Sequence, residues 1–372
     1  MSSSEDTAAA QQSPLHQCHV AAGAKFAAFS GWSMPLEYAD GGVLAEHAAV
    51  REGVAVFDVS HLGKATVAGP GARTYVNSVL TNDLSKINIG QAQYTMLCTP
   101  EGGVVDDLIA YLKSDDEVFL IPNAANTAAV VEVLAAEAPN GVTVTDEHHD
   151  HVVIAVQGPK SDEVLTARGL PTDHEYMSFT TAEIAGAAVT VCRTGYTGER
   201  GYEIVAPTAA GVAVWEAVLA AGESYGIRPA GLGARDTLRT EMGYALHGNE
   251  ISPERSPVQA RLGWAIGWKK ESFRGHEALR AEKAEGPART LRGLRATGRG
   301  IPRAGMVVVD AEGAEIGIVT SGTFSPTLRT GIALALVDRD VTEGPLLVQV
   351  RRRTEEFDLT KPPFVTPGVR DQ

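Results

Sequence analysis

Asp106 and Asp107 stand at the start of an apolar run, Val104 to Leu112, that reads as a β-strand behind the turn Gly102-Gly103. Side chains alternate across a strand, so Asp106 shares a face with Leu108, Ala110 and Leu112, and Asp107 shares the other with Ile109 and Tyr111. A carboxylate set beside an aromatic ring suits a ring-bearing ligand; the alternative is that both acids end a turn and face water. A third acid, Glu203, interrupts the apolar strand Tyr202 to Ala206. An unpaired buried charge is costly, so a buried Glu203 must find donors, and the adjacent N–H groups of an aminopyrimidine edge would suit its two oxygens. A half-exposed strand would instead leave it facing water. Glu203 closes the loop Arg193-Thr-Gly-Tyr-Thr-Gly-Glu-Arg-Gly-Tyr-Glu203, whose Gly195, Gly198 and Gly201 are more than one tight turn needs. Repeated glycines let backbone N–H groups approach a ligand, and Tyr196 can stack on a flat ring while offering a hydroxyl. Glu199 and Arg200 are expected to face solvent.

Ala230-Gly-Leu-Gly-Ala-Arg-Asp236 lacks the third glycine of a dinucleotide-binding turn and a clear strand before it, and reads as the entry to a helix running Ala234 to Met242. Arg235 gains nothing from the dipole at a helix start, so a carboxylate partner is expected, either Glu203 or a ligand. His148-His149-Asp150-His151 has metal-ligand composition, but neighbours on one loop rarely converge on an ion. Asp58, Ser60 and His61 have the residue types of a nucleophilic triad, yet neighbours in sequence do not face one another. Neither a metal nor a triad is expected.

The elements that must position these residues fall into three parts. Residues 1–13 read as a disordered tail, residues 14–281 as mixed strands and helices, and residues 288–372, beyond the polar linker Glu282 to Pro287, as a small all-β barrel or sandwich. Strands are expected there at 291–296, 306–310, 316–320, 332–337 and 346–351. A weak repeat runs through the middle part: Pro122 and Pro207, 207 − 122 = 85 residues apart, each follow a strand and precede an alanine-rich helix ending Val-Leu-Ala-Ala. Two related β-β-α units are therefore expected, with Asp107 and the 193–203 loop lining one cleft between them. The chain of 372 residues is long enough for several cores, and its net charge of −14 argues against general binding to nucleic acid or anionic lipid. Three scattered cysteines suggest a reducing, cytoplasmic setting, and no apolar stretch reads as a membrane span.

In order along the chain, Gly23-Ala-Lys25, Gly31-Trp-Ser-Met-Pro35, Phe57-Asp-Val-Ser-His61, Thr81-Asn-Asp83, Gly102-Gly-Val-Val-Asp-Asp107, Gln157-Gly-Pro159, Arg193-Thr-Gly-Tyr-Thr-Gly198, Gly231-Leu-Gly-Ala-Arg-Asp236 and Thr320-Ser-Gly-Thr-Phe-Ser-Pro326 resemble the T-protein (aminomethyltransferase) family of the glycine cleavage system. The resemblance covers residues 14 to about 365. It implies an α+β fold with two intertwined folate-binding lobes and a C-terminal β-barrel. It implies transfer of the aminomethyl group's carbon from a lipoylated carrier protein, the H-protein, to tetrahydrofolate as co-substrate. The products are 5,10-methylenetetrahydrofolate, ammonia and the dihydrolipoyl carrier, with the decarboxylase and dihydrolipoyl dehydrogenase as functional partners and no metal. By resemblance Asp107 is the catalytic carboxylate near folate N10, Glu203 binds the pterin and Arg235 anchors the pocket. Tyr94, Asn123, Tyr176, Tyr196 and Tyr244 surround the cofactor, with Tyr111 beside Asp107 on its strand.

Leu62 stands where the family's pattern leads one to expect methionine, and Pro363-Phe-Val-Thr-Pro-Gly-Val-Arg370 lacks the tyrosine or basic residue usual after Pro-Phe, so no site residue is carried over there. Two alternatives fit part of the pattern: the folate domain of a dimethylglycine- or sarcosine-oxidising enzyme, or a non-catalytic folate-binding module. The first would want a flavin-binding domain upstream and the second a reactive cysteine in place of the 193–198 loop.

Overall fold

In chain order the elements are β1 (Gln11–Gln12), α1 (His16–Ala21), β2 (Ala24–Phe29), β3 (Trp32–Tyr38), α2 (Gly42–Glu52), β4 (Ala55–Asp58), β5 (Ala65–Ala68), α3 (Ala72–Val79), β6 (Ala92–Cys98), β7 (Val104–Ser114), β8 (Glu117–Ile121), α4 (Thr127–Ala136), β9 (Thr143–Asp146), β10 (His151–Gln157), α5 (Ser161–Thr166), β11 (Phe179–Ile184), β12 (Ala187–Cys192), β13 (Gly201–Pro207), α6 (Gly211–Gly222), β14 (Arg228–Pro229), α7 (Leu232–Met242) and α8 (His276–Glu285), followed by β15 (Arg289–Ala296), β16 (Val307–Val309), β17 (Glu315–Ser325), β18 (Thr330–Asp338), β19 (Leu346–Val350) and β20 (Arg353–Thr360). The computed structural model describes residues 10–350 and 353–370. Most of the tail expected over residues 1–13, and Arg351 at the end of one expected strand, lie outside the described residues. Within that tail, Gln11 and Gln12 pair with Trp32 and Ser33, and Ser13 is buried, so residues 11–13 belong to the fold.

The repeat seen faintly in sequence is a repeat of architecture. One sheet has the strand order β6-β7-β8-β5-β9 and the other β11-β12-β13-β10-β4-β14. The series β5-α3-β6-β7-β8-α4-β9 is thus followed by β10-α5-β11-β12-β13-α6-β14 in the same spatial order, with β4 inserted.

Period-2 alternation fixes which face each side chain takes. On β10, Val152, Ile154 and Val156 join Val164, Val214 and Trp215 under helices α5 and α6, whereas Val153 and Ala155 turn the other way. On β7, Leu108, Ala110 and Leu112 pack with Val76, Val130 and Leu134 of α3 and α4, whereas Ile109 and Tyr111 turn towards the second sheet. The two inward faces meet in a core containing Phe57, Tyr111, Ile121, Val153, Cys192 and Val205. Full burial of each such large apolar side chain stabilises by roughly 1.5–3 kcal/mol. By the same parity Asp107, with Ile109 and Tyr111, and Glu203, with Val205, must enter the space between the sheets.

The C-terminal part is a closed barrel, β15-β18-β17-β16-β19-β20, filled by Leu294, Val319, Ala335, Val348 and Phe357 among others. Its attachment depends on α7. Glu241, near the end of that helix, accepts hydrogen bonds from Ser325 Oγ (2.5 Å) and Thr327 Oγ1 (3.0 Å) of the barrel. The helix stops at Gly243, whose φ of +70° only glycine adopts freely, and a Cβ there would stand 2.4 Å from Pro362.

Candidate functional site

A cavity of about 830 Å³ opens between the lobes, and all nine residues expected at a site line it: Tyr94, Asp107, Tyr111, Asn123, Tyr176, Tyr196, Glu203, Arg235 and Tyr244. Asp107 is presented by two donors. Tyr94 donates its hydroxyl to Oδ2 at 2.9 Å, and Asn123 donates Nδ2 to Oδ1 at 2.9 Å. Burial raises the Asp107 pKa, opposed by the Tyr94 hydroxyl, His247 and Asn123. Its neighbour Asp106 takes the opposite face, as alternation requires, and is wholly buried. There it accepts from the Asn123 N–H (2.9 Å), Asn123 Nδ2 (2.9 Å) and Asn126 Nδ2 (2.7 Å). Burial, with the charge of Asp107, pushes Asp106 up to about 8. Asn123 therefore clamps both acids, and the pair forms one titrating unit.

Glu203 is 7% exposed. It is not surface-facing: it accepts a 2.5 Å bond from Thr194 Oγ1, while Tyr111 contacts the same hydroxyl oxygen at 3.3 Å. Arg235 feels the charge of Glu203, but among the described residues no ion pair joins the two. Its guanidinium lies instead 4.7 Å from the centre of the Tyr196 ring. Tyr196 packs on Tyr244 with ring centres 5.7 Å apart and donates its hydroxyl to the Ala245 carbonyl. One wall is thus a stack of guanidinium and two phenols, anchored at the end of α7.

Two glycines of the 193–203 loop, Gly195 and Gly201, also have a packing role. Gly195 lines the cavity, but a Cβ on it would lie 2.2 Å from Gln157 Oε1, and one on Gly201 2.5 Å from Gln157 Nε2. They make room for Gln157, which donates to the Thr194 (3.2 Å) and Tyr202 (3.3 Å) carbonyls and accepts from Thr197 Oγ1 (2.7 Å). Glu199 and Arg200 do not face solvent as expected. Arg51 pairs with Glu199 at 2.8 Å, and Arg200 Nε donates to Asp162 at 2.6 Å, with all four side chains at most one-third exposed. Both pairs brace the loop from behind.

Sequence reasoning missed Trp264. It lines the cavity, is 66% exposed and stacks on Tyr94 with ring centres 5.4 Å apart, so it holds the ring whose hydroxyl bonds Asp107. An indole this exposed on the rim of a cavity has no periodicity to betray it. His61 also lines the cavity, and burial, with the charge of Arg235, pushes it down to about 3, which keeps it neutral. It does not pair with Asp58, which holds Ser13, His19 and the Ser60 N–H instead. The rings of His148 and His149 stack at 5.0 Å, and among the described residues no group of three or more His, Cys, Asp or Glu is placed to hold a metal ion.

Chemically, the cavity offers a flat-ring stacking wall, a buried carboxylate for paired N–H donors at one end, and a donor-clamped carboxylate of raised pKa in its middle. Comparison with known proteins gives the same direction. The model of the GCVT N-terminal domain matches residues 15–270, and that of the glycine cleavage T-protein C-terminal barrel domain matches residues 289–366. A curated aminomethyltransferase of a Parafrankia species is 60% identical over 361 residues, covering 97% of this chain and 99% of that one. One from Mycobacterium tuberculosis is 56% identical over 360 residues, covering 96% and 97%. The crystal structure of the glycine cleavage system aminomethyltransferase T from Bartonella henselae superposes with a TM-score of 0.90 at 35% identity, covering 96% of this chain and 98% of that one.

Proposed function

Because the chain belongs to the glycine cleavage T-protein family, we infer from the cavity which of its residues carry the family's reaction. The protein is an aminomethyltransferase of the glycine cleavage system. It transfers the one-carbon unit from the aminomethyl-loaded lipoyl arm of the carrier H-protein to tetrahydrofolate. In the net reaction the carbon leaves both its amino nitrogen and the lipoyl sulfur and becomes bonded to folate N5 and N10. The two folate N–H protons balance as one on sulfur and one on ammonia. Tetrahydrofolate supplies the nucleophilic nitrogens, and no metal is assigned a part.

The observation that carries the site assignment is the convergence of Asp107, Glu203 and Arg235, from three separate elements, on one cavity walled by tyrosines. Such a wall suits a flat heterocycle. Glu203 binds the N–H edge of the pterin through the oxygen not engaged by Thr194, and Arg235 with Tyr196 holds the ring from the side. Asp107 orients the folate nitrogens and accepts a proton at Oδ1 or Oδ2. Each oxygen has one donor and keeps a second lone pair for an incoming N–H. A raised pKa suits this role, because a general base works best when its pKa is near the ambient pH. Tyr94, Asn123, Tyr111, Tyr176 and Tyr244 set the shape of the cavity and the position of Asp107. Holding the lipoyl arm and folate together supplies much of the remaining rate by proximity.

We assign residues 14–281 to folate binding and 288–372 to the barrel, which the closure of β15 with β20 supports; the expected linker from Glu282 to Pro287 is instead mostly the last turn of α8. A cytoplasmic setting, with the decarboxylase and dihydrolipoyl dehydrogenase as further partners, is supported by three unpaired cysteines and net charge −14. The test is carbon tracing with aminomethyl carrier labelled at the methylene carbon. Label in 5,10-methylenetetrahydrofolate is the expected result, and label that stays on the carrier in the presence of folate rules the function out.

A further inference from the structure

We propose that a hollow walled by Thr172, His174, Tyr176, Arg193, Arg200 and Arg370 is a binding site for a phosphate-type dianion, distinct from the folate cavity. It does not depend on the folate reading, since the hollow shares only Tyr176 and Arg370 with that cavity. The hollow encloses about 530 Å³. Four segments build it: residues 172–176 ahead of β11, Arg193 directly after β12, Arg200 directly before β13, and Arg370 beyond β20. The Arg193 backbone is held on both sides, its N–H donating to the Ser178 carbonyl at 2.8 Å and its carbonyl accepting from the Met177 N–H at 3.1 Å. Arg200, committed to Asp162, also reaches the Thr172 carbonyl at 3.4 Å and ties the 193–203 loop to the rim.

Arg193 carries the inference. It is 4% exposed, yet among the described residues no carboxylate pairs with it. Its Nη2 donates to the Val369 carbonyl at 3.3 Å, and its Nε has no hydrogen-bond partner. A buried guanidinium without an acid is costly, and an anion in the hollow offsets that cost. Arg370 is a second cation without an acid among the described residues, its guanidinium 5.6 Å from the centre of the Tyr176 ring. Two uncompensated positive charges are matched by phosphate, which carries close to two negative charges at neutral pH, and not by a single carboxylate. Guanidinium groups also fit the oxygens of such an anion in pairs.

The field inside the hollow is positive although acids stand at its rim. Burial lowers the pKa of His174, and the charge of Arg193 lowers it further, ahead of the opposing Asp173 and Asp162. Both ring nitrogens of His174 are buried, with only weak support from the Val191 backbone. Asp173 and Glu175 are exposed, where water and salt screen them. They repel a long polyanion, so the site takes one phosphate group, free or at the end of a small molecule.

The test is titration calorimetry of the full chain, without folate, against inorganic phosphate, a small phosphate monoester, sulfate and acetate, with ionic strength held constant by chloride. Phosphate and sulfate are expected to bind at a single site with Kd on the order of 1 mM, and acetate at least about 10-fold more weakly. Tighter binding of the monoester makes a phosphorylated small molecule the ligand, and tighter binding of phosphate makes it the free ion; either supports the site. Arg193→Gln is expected to weaken phosphate binding at least about 10-fold, and Arg370→Gln, at an exposed position, at least about 3-fold. Lys361 lines the folate cavity but not the hollow, so Lys361→Gln is expected to leave phosphate binding unchanged. Saturating tetrahydrofolate is expected to alter it by less than about 3-fold. Should Arg193→Gln not fold, Arg370→Gln against Lys361→Gln still decides. The proposal is overturned by absence of saturable phosphate binding, by acetate binding as tightly, by full affinity in Arg370→Gln, by loss in Lys361→Gln, or by displacement of phosphate by folate. Failure to bind folate while phosphate binding persists overturns the folate reading alone.

Discussion

Replacing Asp107 by asparagine removes one charge and almost no volume, which makes Asp107→Asn the sharpest perturbation of the site. The carboxylate accepts from Tyr94 on one oxygen and Asn123 on the other. Asparagine keeps one acceptor for Asn123, and its amide turns a donor towards the Tyr94 hydroxyl, which must rotate or lose its partner. A lost buried bond costs about 1–3 kcal/mol. Against this, the substitution deletes a buried charge beside Asp106, whose pKa is raised in part by that charge. The two effects oppose, so unfolding stability should change by no more than about 2 kcal/mol, within the roughly 5–15 kcal/mol of a stable domain. Activity should fall much further. Loss of a positioned proton acceptor costs about 10²–10⁴-fold in rate, or about 2.7–5.4 kcal/mol of barrier. The assay is folate-dependent ammonia release from aminomethyl-loaded carrier, with folate affinity and chemical unfolding measured on the same preparation. Turnover within about 3-fold of wild type would refute the role given to Asp107. So would a fall in activity matched by an equal fall in folate affinity, because it would make Asp107 a binding group only.

Glu203→Gln is expected to weaken folate binding by roughly 30-fold or more with kcat at saturating folate little changed, since it puts a donor where paired N–H groups need an acceptor; titration calorimetry checks this. Tyr94→Phe should move the acidic limb of the pH–rate profile to higher pH by about one unit, because the hydroxyl favours the charged form of Asp107 and its loss raises that pKa. A profile that stays put separates Tyr94 from the titration. A pH effect of opposite sign is expected for stability at Glu241: burial opposes its ionisation, but His47, Ser325 and Arg51 overcome this and depress it to about 2. With the folded value below the unfolded one, Glu241 contributes on the order of 3 kcal/mol that is complete above about pH 5 and lost as pH falls towards 2. Denaturant unfolding at pH 7 and pH 4 should show this slope in wild type and a weaker one in Glu241→Gln. Removing Arg51 by Arg51→Met leaves the wholly buried Glu241 short of its cation, and stability at pH 7 should drop by roughly 3–5 kcal/mol.

Much of this site was legible because strands obey a two-residue period. The alternation on β7 placed Asp107 with Ile109 and Tyr111, and the structure turns that face into the space between the sheets. The 85-residue spacing of Pro122 and Pro207 disclosed the doubled architecture, since both prolines end a strand that feeds a helix on the outer face. What escaped depends on partners far away in sequence. Glu199 and Arg200 look like turn residues until Arg51 and Asp162 are brought to them. Nor does the sequence show that Gln157, known there only as part of Gln-Gly-Pro, fills the room left by Gly195 and Gly201. Strand β20, Arg-Thr-Glu-Glu-Phe-Asp-Leu-Thr, offers too few apolar residues to be read, because it closes the barrel mainly through backbone pairing with β15 and β19 and buries Phe357 alone.

The most direct measurement is the rate of ammonia release from aminomethyl-loaded lipoyl carrier by the purified protein, with and without tetrahydrofolate. A strong acceleration by folate, accompanied by stoichiometric 5,10-methylenetetrahydrofolate and free dihydrolipoyl carrier, is the expected result. Ammonia release at the same rate with and without folate contradicts the assignment of the cavity and of Asp107 together.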